Sequence, residues 1–328
     1  MAYADFVKMY AADRKVSPES LLQAKPLSFP MSTNSRGEQM IEFLRSSLAL
    51  ELEGKRVLDI GCAYGGFSIA LAKAGAIVSG VDVSKPFIDY ATVNASETAE
   101  VDFHVADASS ISIRKLFPKG SFDFIVLNDV LEHIYDTTGL ISNLDWLLNE
   151  TGRFYFKVPN AHSPRWAMSE GHRKIFGLTL LDPDCWFHLH PKRASIFYRR
   201  LGYFQSIFEH YNFPKLLFVD LEDVFTRFPQ RKLDREFKEL AKTARTFEYP
   251  NADVKVYLRQ GISRFHEEYL YDLENSEFGL VQFKYGTYFF TGFAGRPGAQ
   301  LSSIQPAVEI KGLGLVAERS SQHGLLTG

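Results

Sequence analysis

Three kinds of residue in this chain could do chemistry together. They are glycines that let backbone approach a ligand, carboxylates that follow short apolar runs, and histidines able to take a proton near neutral pH. Residues 57–84 read VLDIGCAYGGFSIALAKAGAIVSGVDVS, the pattern of a buried strand, a glycine-rich turn, a helix and a second strand that ends on an acid. Gly61, Gly65 and Gly66 admit a ligand where side chains would block it. Asp82 lies about 20 residues beyond the turn, where one carboxylate can accept both hydroxyls of a ribose. That geometry suits a nucleoside. It suits a dinucleotide less well, because Gly61 is followed by Cys62, Ala63 and Tyr64 and not by the GxGxxG spacing that brings a helix N-terminus to pyrophosphate. A Rossmann oxidoreductase is therefore disfavoured.

The histidines point to proton transfer. His133 follows the fourth apolar run, at the carboxyl edge of the expected sheet, where open α/β folds bind their ligands. It is the first candidate for a base; closing a helix or bonding a backbone carbonyl would be an equally ordinary use of it. Asn128 and Asp129 line the same edge. A long connection, residues 157–191, carries His162, His172, His188 and His190 among Trp166, Trp186 and Phe187, and should form the acceptor pocket. His188 and His190 alternate as strand neighbours would, and no third ligand stands out beside them, so no metal is expected. In a chain with 28 Phe and 15 Tyr, aromatics fill cores more often than they stack on substrates.

Positioning these groups requires a sheet. Residues 56–211 alternate short apolar runs with helix-like segments, as a parallel sheet covered by helices does. Strands are expected at residues 56–60, 77–82, 101–105, 122–128, 152–159 and 204–211. Ser84 and Pro86 open a helix after the second strand, since proline loses nothing in a first turn. Residues 39–50 form another helix, by the spacing of Met40, Ile41, Phe43, Leu44 and Leu48. Beyond residue 211 the alternation stops. Leu233, Phe237, Leu240, Ala241 and Ala244 recur at helical spacing, as do Leu258, Ile262, Phe265 and Tyr269. Residues 281–294 then read as a long aromatic strand or hairpin. The fold class expected is α/β: a Rossmann-like, mostly parallel seven-stranded sheet, with an antiparallel last strand and a helical insertion before it. The divisions are an N-terminal segment 1–38, the nucleoside-binding domain 39–211, the insertion 212–276 acting as a lid, the last strand 277–295 and a disordered or loosely attached tail 296–328.

These motifs resemble the class I S-adenosylmethionine-dependent methyltransferase superfamily, whose first motif reads hydrophobic-Leu-Asp-Ile-Gly-Cys-Gly-x-Gly and whose second strand ends on an acid. The likeness continues through residues 101–109, VDFHVADAS, and 122–136, FDFIVLNDVLEHIYD. The Leu-Glu-His triplet is that of the branch holding quinone-biosynthesis O-methyltransferases and many small-molecule or sugar methyltransferases. The resemblance implies S-adenosylmethionine as cofactor, held by Asp59, Gly61, Cys62, Gly65, Asp82, Val83, Asp107, Ala108 and Asn128. Asp107 and Ala108 would face the adenine amino group. It also implies a second candidate base, His190, ahead of a helix at residues 192–201, and it likens Arg36 to a residue some relatives place on the methionine carboxylate. Ala63 departs from the motif, where a glycine is common.

Composition excludes other classes. The chain has 328 residues, 45% hydrophobic, with net charge −2; no strong field gathers nucleic acid or an anionic membrane. No Asn/Asp-Pro-Pro-aromatic tetrapeptide follows the fourth strand, which argues against base methylation. Cys62 and Cys185 lack metal-ligand spacing and suit a reducing compartment. The first residues are not a secretory signal, and no stretch has the length of a membrane span. A cytoplasmic methyltransferase acting on a hydroxyl of a small molecule, sugar or glycan through a histidine base is the leading expectation. The alternatives are N- or C-methylation of a metabolite or protein, or a non-catalytic scaffold. An exposed edge at the aromatic last strand could pair across a homodimer.

Overall fold

A computed structural model describes residues 2–48, 50–97, 99–172, 174–182, 196–249 and 251–301, with backbone strands at 307–311 and 314–315. Nine strands are assigned among them: β1 (Arg56–Ile60), β2 (Ile77–Asp82), β3 (Val101–Val105), β4 (Phe122–Asn128), β5 (Leu148–Pro159), β6 (Lys215–Val219), β7 (Phe289–Gly295), β8 (Ala307–Lys311) and β9 (Gly314–Leu315). The chain divides into two compact units. One comprises residues 1–130, 136–155 and 294–305; the other comprises 131–135, 156–293 and 306–328. The α/β, Rossmann-like class expected from the sequence is the class the chain adopts.

In the first unit, β3, β2, β1 and β4 lie in that order and all pair in parallel. Val57, Leu58, Ile125, Val126 and Leu127 have no exposed surface, because helices cover both faces of a parallel sheet and its strands become continuous apolar runs. The register sets Ile60 against Val81 and Asp82 against Val105. The turns after β1, β2 and β3 thus leave the sheet at one edge. Ser84 stands at the N-cap position of the helix Lys85–Ala95, with proline in its first turn as the sequence predicts, but its side chain makes no capping hydrogen bond. The helix predicted at 39–50 starts earlier and spans Thr33–Leu48.

In the second unit, β7 lies between the end of β5 and β6, and this part of the sheet is antiparallel. The two predicted amphipathic helices are Gln230–Thr246 and Ala252–Asn275. Their apolar stripes meet at Phe237, which stacks on Tyr269 at 4.4 Å, and Tyr269 Oη donates to Asp234 at 2.8 Å. Leu233, Phe237, Leu240, Leu258, Ile262 and Phe265 share one core with Trp166 and Ala167.

Four expectations change. Residues 204–211, predicted as a strand, belong to the helix Leu201–His210, which buries Leu201, Phe204, Ile207 and Phe208; the aromatic content favoured a strand, but the spacing of those residues is helical. The sixth strand is β6, a few residues later. The run 281–294 breaks at Gly286: Phe278–Gly286 is a helix and only Phe289–Gly295 a strand. Because β7 has a strand on each side, it is not the exposed edge from which a homodimer was argued. The tail from residue 296, expected to be disordered or loosely attached, is held at its start. Arg296 pairs with Asp145 at 2.7 Å, and β8 runs antiparallel to β6 with Phe218 opposite Val308.

Candidate functional site

The glycine-rich turn in the first unit is built from backbone conformations that side chains rarely adopt. Gly61 and Gly65 have φ of +70° and +77°, and a Cβ on Gly61 would lie 2.7 Å from a Val130 methyl. Ala63 also lies in the left-handed region, at φ +46°, which is the physical reason a glycine is common at that position. The amides of Gly61 and Cys62 both donate to Val81 O, at 2.8 and 3.1 Å, so the turn is bound to the end of β2.

Asp82 locks the two turns together. Its Oδ2 accepts Ala63 N at 3.1 Å and its Oδ1 accepts Ser84 N at 2.8 Å. Burial pushes its pKa up, and these backbone amides oppose that shift. The lone pairs of this carboxylate that its backbone amides leave over can accept ribose hydroxyls. Val83 beside it is 66% exposed. The residues present therefore fit a nucleoside.

Asp59 has another task. It is buried, accepts Ser68 Oγ at 2.6 Å, and has its pKa raised to about 7 by burial, with the Ser68 bond pulling the other way. It fastens the helix Gly66–Lys73 under the turn and supports the site from below. The Cys62 thiol is buried; burial first, then the Asp59 and Asp82 charges, hold its pKa well above the usual value. It is a neutral wall and not a nucleophile.

Asp107 lies two residues past β3; its Oδ1 accepts the amide and the hydroxyl of Ser109, at 2.9 and 2.6 Å. Ala108 is buried, and its carbonyl accepts Asn143 Nδ2 at 2.9 Å. Asn128 ends β4, donates to Asp129 at 2.9 Å, and accepts Tyr155 Oη at 3.2 Å. Arg36 reaches Asp129 at 3.6 Å. The sheet register gathers Asp59, Gly61, Cys62, Gly65, Asp82 and Val83 around the β1 and β2 turns, with Asp107, Ala108 and Asn128 after β3 and β4.

Sequence reasoning missed the clamp on this turn. In the helix Ala2–Arg14, Phe6 and Tyr10 pack on Tyr64 at ring distances of 5.7 and 5.9 Å, and Tyr64 packs on Phe87 at 5.0 Å. The signal was present in Tyr3, Phe6, Val7 and Tyr10, which recur at helical spacing.

In the second unit, His133 ends a short 3₁₀ turn, Leu131–His133, and its ring meets that of His172 edge-on at 5.2 Å. Glu132, His133 and His172 bring one oxygen and two ring nitrogens within 4.8 Å of one another, a spacing that a shared cation or a shared proton could use. His162, in contrast, is structural: it is buried, and its Nε2 accepts Leu201 N at 3.2 Å, closing the start of the helix Leu201–His210. Burial first, then the charges of Lys284 and Arg200, hold its pKa well below the usual value. His188, His190, Trp186, Phe187 and Cys185, with the helix predicted at 192–201, lie at least in part outside the described residues; Leu201 itself opens the helix Leu201–His210.

Residues 34–216 match the family model of a methyltransferase domain, more than half of the 328 residues. The chain belongs to that methyltransferase family. With it comes membership of the class I S-adenosylmethionine-dependent superfamily, the one the motifs resemble. The ubiquinone biosynthesis O-methyltransferase of Coxiella burnetii is 32% identical over 44% of this chain and 56% of its own length. That of Aromatoleum aromaticum is 34% identical over 33% and 46%. The chain thus spans about half the length of the curated relatives it matches. Among solved structures, the phosphoethanolamine N-methyltransferase 2 of Haemonchus contortus, in complex with phosphomonomethylethanolamine and S-adenosylhomocysteine, aligns at 20% identity and TM-score 0.45, over 79% of this chain and 52% of that one. An S-adenosylmethionine-dependent methyltransferase of Mesorhizobium loti aligns at 17% and 0.44, over 75% and 93%. Among the described residues, no helix is long and apolar enough to cross a membrane.

Proposed function

We propose that this methyltransferase-family chain moves a methyl group from S-adenosylmethionine to a hydroxyl of a small molecule, with a histidine as base. The observation that carries the cofactor half is Asp82, which backbone amides hold at the end of β2 and whose remaining lone pairs can accept ribose hydroxyls. When bound, the cofactor supplies a methyl carbon on a sulfonium, ready for in-line displacement. Gly61 and Gly65 keep side chains away from the turn, Asp107 takes the adenine amino group, and Val83 borders the adenosyl group. The remaining catalysis is alignment in a dry site, together with removal of the hydroxyl proton. Transfer to oxygen follows the curated relatives, whose names specify O-methyltransferases.

His133 is the base that the sequence singles out, and His172 stands beside it; one of this pair takes the proton. We assign the helices Gln230–Thr246 and Ala252–Asn275 the task of holding the Trp166 segment, whose core they share, with closure over the acceptor as their further role. The location proposed is the cytoplasm. The test is a screen of labelled methyl transfer over catechols, other hydroxylated metabolites, sugars and amines. Labelled product from hydroxyl acceptors supports the reading. Product from amines alone replaces it with N-methylation.

A further inference from the structure

The turn that follows β3 is held by one buried amide. Asn143, on the helix Thr137–Leu147, is 2% exposed. Its Nδ2 donates to Ala108 O at 2.9 Å and to Ser110 O at 3.0 Å, and its Oδ1 accepts Arg114 Nε at 2.8 Å. Carbonyls on one side and a guanidinium on the other fix which way the amide points, because a carbonyl only accepts and an arginine only donates. Arg114 is anchored in turn: its Nη2 donates to Ser142 O at 3.1 Å and to Ser142 Oγ at 2.9 Å, and its guanidinium lies over the Trp146 ring at 5.3 Å. Gly139, one helical turn before Asn143, comes so near that a Cβ there would lie 2.7 Å from Ser109 O. Ser109 stands between the two carbonyls that Asn143 holds, and its amide and hydroxyl both donate to Asp107 Oδ1. Ser110 N closes the turn on Asp107 O at 3.1 Å. The bonds thus run from a buried amide to Oδ1 of an exposed carboxylate, and none among the described residues reaches Oδ2. All of these residues belong to the first unit.

We propose that Asn143 sets the preference of this site for a base that carries an amino group: it is a positioning residue for Asp107, and the ligand is an adenine-type nucleoside. This rests on the reading that Asp107 accepts the adenine amino group, and it names the residue that makes that acceptance selective. An amino group at that place donates to Oδ2. A keto oxygen at the same place, as in hypoxanthine, meets the carboxylate with a second acceptor, so the hydrogen bond is lost and two negative ends oppose each other. Such selectivity needs a carboxylate that does not swing away. Rotation of Asp107 breaks both Ser109 bonds, and a shift of Ser109 pulls the Ala108 and Ser110 carbonyls off Asn143, leaving a buried amide unsatisfied. Asn94 offers a contrast in the same unit. It is also buried, on the helix Lys85–Ala95, where it donates to Tyr64 O at 2.9 Å and pairs with the Asn34 amide. It holds the glycine-rich turn and not the turn that carries Asp107.

The test titrates the full chain with S-adenosylhomocysteine and with S-inosylhomocysteine, which carries a keto oxygen in place of the amino group, while thermal melting reports that each variant is folded. Wild type should favour the adenosyl ligand by about tenfold or more, the scale of one hydrogen bond to a charged group. Asn143→Ala, and Asn143→Asp, which keeps an acceptor for Arg114 and removes both donated bonds, should bring that ratio to within about threefold of unity, mainly by weakening the adenosyl ligand. Asn94→Ala should weaken both ligands alike and keep the wild-type ratio, which is what a loss of support without selectivity looks like. A wild type that binds both ligands equally, a folded Asn143→Ala whose ratio stays within about twofold of wild type, or the same collapse of the ratio in Asn94→Ala overturns the proposal. Should neither Asn143 variant fold, Ser109→Ala decides: a lowered ratio supports the proposal and an unchanged one overturns it. A wild type that binds neither ligand is a different result, since it defeats the cofactor reading and the proposal together, whereas an adenosyl preference that survives in Asn143→Ala defeats the proposal alone.

Discussion

Asp82 and His172 are both held by hydrogen bonds, but their partners come from different distances along the chain. Asp82 is gripped by the amides of Ala63 and Ser84, within one strand–turn–helix–strand passage. His172 is gripped through Tyr198 by Glu170, beside Glu132 and His133 from another turn. A cofactor that is always the same can be met by a local motif whose backbone does the binding. A site assembled from side chains of several segments can change with its substrate while the motif stays. The acid is fixed within one passage of chain, whereas the histidine is fixed by side chains from several segments of the second unit.

The largest expected effect asks how local the first site is. Phe6 has no exposed surface and packs on Tyr64 in the glycine turn. Phe6→Ala should cost about 3 kcal/mol in urea denaturation, the lower part of the range for a buried aromatic. It should also weaken S-adenosylhomocysteine binding, because Tyr64 loses its support. Unchanged affinity would show that the turn holds its shape without the N-terminal helix.

Next comes Gly61→Ala, which places a methyl 2.7 Å from Val130 at a φ of +70°. Crowding and left-handed strain together predict a loss of about 2 kcal/mol, measured by thermal melting with and without ligand. A variant as stable as wild type would contradict the account of the turn.

A smaller effect follows from Asp59, whose folded pKa of about 7 lies above the ordinary carboxyl value of about 4. Because the folded pKa is the higher one, its contribution to stability is complete below the unfolded pKa and is lost as pH rises through about 7. The melting temperature of the ligand-free protein should fall between pH 5 and pH 8, and Asp59→Asn should flatten that fall. An equally steep fall in the variant would assign the pH dependence to another group.

The two sites were unequally legible. The ends of β1, β2 and β4 stand where the apolar runs and acids put them, because buried parallel strands carry a continuous signal and Asp82 and Asn128 mark where it stops; β3, with no buried residue, was legible from its alternation. Leu201–His210 is hard to read from sequence because Tyr203, Phe204, Ile207 and Phe208 favour strands by type while their spacing is helical. Gly286 hides the change from helix to strand inside one aromatic run. Glu170 and Tyr198 carried no signal, since nothing in the order of residues says that a carboxyl at 170 and a phenol at 198 meet one imidazole. His162 looked like its neighbour His172 and proved to be a buried acceptor closing a helix.

The most direct test of the central claim is calorimetric titration of the purified chain with S-adenosylmethionine, S-adenosylhomocysteine and NAD, alongside Asp82→Ala. The account predicts micromolar binding of both adenosyl ligands, weakened at least tenfold in the variant by the lost charge-assisted hydrogen bonds, and no comparable binding of NAD. A folded wild-type chain that binds neither adenosyl ligand would contradict it.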